Sequence, residues 1–202
     1  MLIGYEGVAT SLVQLMRDRG AATARIVEKI MGLHEGEIRT PNPDPDHGDI
    51  HPVWVDVVSK GRFPTWMVVA QDTPLRRTAG QTGMDGVSDE VQFRYPFSIL
   101  SHVVGKDEGD LAAHRYRLMM VIRVLLIQHK LLVKTDQSKA VMELQDMQEI
   151  VGGMARDDDS RYLMEGRTDF HVMTTEHIPA AQEPWGAVEV VQVAHQMMDE
   201  GA

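Results

Sequence analysis

The chain has 202 residues, 43% of them hydrophobic and 25% charged, which suits one domain with extensions and a core that needs no covalent staple. It has no cysteine, which excludes a disulfide framework, a thiolate metal site and a cysteine nucleophile. A formal net charge of -10 opposes sequence-specific nucleic-acid binding, which normally rests on a basic patch.

Residues 5–33 read as helix. Val8, Leu12, Leu15 and Met16 form an apolar stripe, continued by Ile26, Val27, Ile30 and Met31. Gly20 is expected to break or kink the segment into two parts, and Gly32 to cap its end. No leader peptide is read in MLIGYEGVATSLVQLMRDRG. Residues 34–50 contain PNPDPDHGD, whose prolines oppose helix and strand alike, so an exposed loop is expected.

Residues 51–59 and 63–71 both read as strands, and Lys60-Gly61-Arg62 between them predicts a hairpin. Residues 72–89 include TAGQTGMDGVSD, a Gly-rich run expected to be a long loop that orders only against a neighbour. In residues 90–104, Val91, Phe93, Tyr95 and Phe97 alternate onto one face, and Pro96 marks an edge or a bulge.

The strongest helix signal is 107–132, capped by Asp107 or Asp110, with Leu111, Leu118, Ile122, Leu125, His129 and Leu132 on one stripe. Its apolar part, Leu118 to Val133, is interrupted by Arg123, Gln128, His129 and Lys130 and is too short for a membrane span. Residues 140–150 fit a short strand or a helix. Arg156 to Ser160 read as a polar turn, and 161–177 as a long two-faced strand. Beyond Pro179 and Pro184 lie a β-like run, Ala187 to Val193, and an acidic tail.

The fold class expected is α+β: a mixed or antiparallel sheet with one long helix on a face and a helix before it. Residues 1–178 form the domain and 179–202 an extension. Leu118, Ile122 and Leu125 should pack on Phe93, Tyr95, Phe170 and Val172, because each amphipathic element must bury its apolar face. The strands 91–104 and 161–177 are expected to supply free sheet edges for docking.

Chemistry is hard to place. His47 and His51 stand four apart beside Asp44, Asp46 and Asp49, but the prolines deny them a helix, so a solvated turn is the first reading. Asp157, Asp158 and Asp159 could serve a metal-dependent hydrolase, yet three adjacent acids in a turn diverge and no phosphate-binding loop accompanies them. No G-x-S-x-G, HExxH, Walker or G-x-G-x-x-G pattern is present. The sequence therefore points away from an enzyme and implies no cofactor or metal.

The order of elements, with FPTWMVV at 63–69, the run Val91 to Val104, the helix from Asp107 to Leu132, and RDDDSRYLMEGRTDFHVMTTE at 156–176, resembles the tail-terminator family of long-tailed bacteriophages. The chain is longer than the smallest members of that family, by the loops 34–50 and 72–89 and by the extension. The resemblance implies a structural virion protein at the head–tail junction. It would form a homohexameric ring on the tail tube, stop tube polymerisation, and meet the tail-tube protein and the head connector. It implies no membrane, with DNA only passing through the lumen. Neck or head-completion proteins share parts of this architecture and are the alternative. On this reading the candidate subunit or tail-tube contacts are Arg76, Arg77, Gly80, Met84, Asp157, Asp158 and Asp159.

Overall fold

The computed structural model describes residues 4–53, 64–71, 76–82, 88–134, 138–156 and 161–179. In chain order these form α1 (Gly4–Met31), β1 (Ile50–His51), β2 (Thr65–Ala70), β3 (Arg76–Thr82), β4 (Ser88–Gly105), α2 (Glu108–Gln128), β5 (Leu131–Lys134), β6 (Ser138–Arg156) and β7 (Tyr162–Pro179). The fold is α+β. One mixed sheet has the order β1-β2-β4-β7-β6-β5, with β3 also paired to β4. Only β1 and β2 run parallel.

Its centre is the β4–β7 ladder, unbroken from Ser88↔Pro179 to Gly105↔Tyr162. Alternation does the sorting. Tyr95, Phe97, Ile99, Val103, Met164, Phe170 and Val172 turn to one face, where they join Leu118, Ile122 and Leu125 of α2 and Val8, Leu12 and Met16 of α1 in one core. The expected packing of α2 on the sheet is thus met, with Phe93 partly buried at its margin. Met67, Leu100 and Val69 make a small second cluster on the opposite face.

Pro96 sits mid-strand without breaking the ladder. Toward β7 it faces His171, while on the other edge the β3 pairing stops at Arg94 and the β2 pairing starts at Phe97. Its carbonyl accepts from the Gln71 N–H at 3.1 Å on that edge, so the N–H that proline lacks would face the gap between β3 and β2.

Several expectations are corrected. α1 is one continuous helix of 28 residues, the longer of the two, against 21 for α2. Gly20 does not break it. A Cβ there would lie 2.8 Å from Cζ3 of Trp66, itself fully buried, so glycine admits the indole against the helix. The helix ends at Gly32 with φ +68°; the Leu33 N–H donates to the Glu28 carbonyl at 2.9 Å and Gly32 N–H to that of Lys29, a Schellman cap. The buried Glu28 carboxylate then accepts from the Ile38 N–H at 2.7 Å and ties down the following loop.

In place of the 51–59/63–71 hairpin, β1 is two residues long and parallel to β2, whose antiparallel partner is β4; residues 54–63 lie outside the described residues. The 72–89 loop contains β3, which pairs with β4 within the single chain. α2 starts where Asp107 accepts from the Asp110 N–H at 2.9 Å, and stops at Gln128 because Leu131 to Lys134 pair with β6. The ambiguous 140–150 segment belongs to a strand of 19 residues. The extension from 180 onward lies outside the described residues.

Because Gly20 touches Trp66 at contact distance, Gly20→Val is expected to cost about 1–3 kcal/mol through overpacking. Denaturant melts read this, and the cost should shrink in a Trp66→Leu background. Equal costs in both backgrounds would show that Trp66 is not the obstacle.

Candidate assembly surfaces

The sequence-predicted contact residues divide. Arg76, Arg77 and Gly80 stand in β3 opposite Arg94, Phe93 and Val91 of β4, with a register shift between Arg77 and Ala79. They therefore stand in a strand ladder rather than in a loop. Met84 and Asp157, Asp158 and Asp159 lie outside the described residues, the acids between the paired ends Arg156 and Tyr162.

The expected docking edges move as well. β4 is paired on both sides, by β7 and by β2 with β3, and β7 lies between β4 and β6. Neither is an edge. Among the described residues the outer sides of β1, β3 and β5 pair with no strand, and so does the outer side of β6 beyond its contact with β5. That contact ends where the Met142 N–H donates to the Lys130 carbonyl at 2.7 Å. From Glu143 to Arg156 the outer side of β6 meets no described strand. This run carries exposed apolar side chains, Ile150, Val151 and Met154. Against β7 its register shifts twice, between Glu143 and Gln148 and between Val151 and Met154. Such bulges bend a strand and increase its local twist.

The sheet face away from the helices is polar and closely paired. The Arg94 guanidinium donates to Glu143 at 2.5 Å and to Asp146 at 2.6 Å, joining β4 to β6. The Asp169 carboxylate accepts from Arg167 and from the Ser98 hydroxyl, each at 2.6 Å, and the Gln71 side chain donates to the same hydroxyl at 3.1 Å. His102, buried, lies 3.0 Å from Glu165 through Nε2. That hydrogen bond, against the cost of burial, holds the Glu165 carboxyl below its ordinary range. Burial, then the Arg94 charge, lowers His171, which is therefore uncharged at neutral pH. On the helix side Arg123 of α2 ion-pairs with Glu149 of β6.

A second polar group lies under α1. The Thr174 hydroxyl donates to Glu176 at 2.9 Å, and the Tyr5 and Tyr95 rings meet edge to face at 4.6 Å. Burial, then the Glu176 charge, pushes Tyr95 up to about 12, so its hydroxyl keeps its proton. In the 34–50 loop the Asp44 carboxylate accepts from the Asp46 and His47 N–H groups, which makes it a turn builder. Among the described residues no group of three or more His, Asp or Glu is placed to hold a metal ion. No described helix is long and apolar enough to cross a membrane. These arrangements tie the elements together: Arg94 reaches across β7 to acids of β6, Arg123 joins α2 to β6, and Arg167 pairs with an acid of its own strand.

No family model matches the chain, and no curated protein matches it.

A depressed Glu165 pKa adds stability above the ordinary glutamate value of 4.5 that is lost as pH falls through the folded value. Glu165 is partly exposed, so the expected contribution is under about 1 kcal/mol. Glu165→Gln should be less stable than the parent at pH 7, with the gap closing below pH 4.5. Urea titrations at both pH values test this, and a gap that widens in acid would contradict the assignment.

Proposed function

We propose that the chain is a phage assembly protein of the tail-terminator kind, which forms a closed, hexameric ring at the head-proximal end of a tail tube, stops its polymerisation and joins it to the head connector. The observation that carries this reading is a sheet left open on both sides, with unpaired runs at β1 and β3 on one side and at β5 and β6 from Glu143 on the other, different in composition. A ring needs two unlike surfaces per subunit, each complementary to the other, related by a rotation that closes. A sheet braced on one face by two helices offers such edges at fixed separation.

Two measurements test it. Sedimentation of the purified chain should give the mass of a closed oligomer rather than a monomer. Deletion of its gene from the phage should leave tails of uncontrolled length and unjoined heads. Tails of normal length that fail to join would move the assignment to a head-completion protein. A wild-type yield of infectious particles would end the assembly role.

A further inference from the structure

We propose that His114 is an acid-sensitive latch: as an uncharged imidazole it holds the segment 37–40 against α2, and on taking a second proton it lets that segment go and opens the cleft beside it. The inference is independent of the ring reading.

The segment after α1 is tied at three points. From α1 the buried Glu28 carboxylate accepts from the Ile38 N–H at 2.7 Å, and the Ile38 side chain enters the core. From α2 the Arg117 guanidinium pairs with Glu37 at 3.0 Å, and Nε2 of His114 stands 3.0 Å from the Arg39 carbonyl oxygen. A carbonyl only accepts, so that nitrogen carries the proton and donates. The first tie is buried. The other two belong to side chains that line one cleft of about 420 Å³, together with Val103, Val104 and Leu111.

Charge decides how the latch responds. The titratable and charged groups that line the cleft with His114 are Glu37 and Arg39 from the segment, and Asp110 and Arg117 from α2. β4 brings only Val103 and Val104, and the approach to β2 only Pro64. Glu37 is committed to Arg117, and Asp110 stands one turn earlier on the same helix. A second proton on His114 would therefore add a cation to a partly buried place that already faces two guanidinium groups. Burial first, then the Arg117 and Arg39 charges, hold its pKa below the ordinary value of 6.5, against the opposing pull of the Arg39 carbonyl. A histidine shifted this way favours the tied state at neutral pH. That contribution is lost as pH falls below 6.5, because the released imidazole binds the proton more readily. The smallest escape is local: the imidazole turns to water, one hydrogen bond is lost, and Glu28 keeps Ile38 in place.

Hydrogen exchange of the full chain tests this, compared as protection factors so that the intrinsic effect of pH on exchange is removed. Protection over residues 33–41 should fall about three- to tenfold between pH 7.5 and pH 5.5, the effect of one lost hydrogen bond, while the β4–β7 ladder stays protected. The midpoint should coincide with the titration of the His114 imidazole followed by NMR. His114→Gln offers a donor near the place of Nε2 without titrating, and its protection should stay constant over the same range. His114→Ala should be as open at pH 7.5 as the parent is at pH 5.5. A parent that shows no fall, a midpoint away from the His114 titration, or an equal fall in His114→Gln would overturn the latch. So would a parallel loss of protection in β4 and β7, which would make the acid effect global.

Discussion

The register of β4 against β7 is the constraint from which the other elements take their places. Eighteen residues of each strand pair without a break, so every side chain along both has its face decided together. A slip of β7 by one residue would turn Phe170 and Val172 to the polar face and bring Arg167 and Asp169 under the helices. The large apolar side chains on one face and the charged groups on the other make that slip prohibitive, since unpaired buried charge costs far more than a lost contact. α1 and α2 then have one place to bury their stripes. The remaining strands extend the ladder outward, β2 and β3 sharing the far edge of β4 and leaving Pro96 at the gap between them.

The polar face has its own logic. Arg94 links strands: it reaches from β4 to β6, to Glu143 where the regular pairing stops and to Asp146 within the irregular stretch. The register irregularity between Glu143 and Gln148 would loosen β6 if nothing held it; charge-assisted hydrogen bonds of this kind are the stronger class and can brace it. On the helix side Arg115 donates to the Gly152 carbonyl at 3.2 Å, which ties the second irregularity to α2. The outermost long strand is thus anchored at both places where its pairing falters.

Much of this was legible in the sequence, and the exceptions share a cause. Val91 to Phe97 and Phe170 to Thr174 alternate cleanly because they are central and two-faced, and the Asp107 cap is a local signal that tertiary contacts leave intact. β6 was obscure because its two irregularities shift the period, so that no single alternation runs from Ser138 to Arg156. β3 hid behind its composition: the glycines that suggest a loop are tolerated where β4 supplies the ladder. Gly20 gave the right residue and the wrong reason, since only the distant Trp66 explains it. The parallel step from β1 to β2 depends on the path of the loop before it, which local patterning does not encode. As to the surface, Arg76, Arg77 and Gly80 could be picked out from charge and glycine, but their place on an edge follows only from the pairing of β3. The free run of β6 carried no signal beyond three spaced acids.

A sheet with open strand runs such as those of β3 and β6 ordinarily invites indiscriminate strand addition. Here the edges differ in a way that restrains it. β6 is bent by bulges and lined with acids, features that oppose self-stacking in register. β3 is short and carries two arginines at its start. Each edge is therefore a poor template for itself. The irregularities that hid β6 from the sequence pattern are the same features that take its free run out of a flat, regular template.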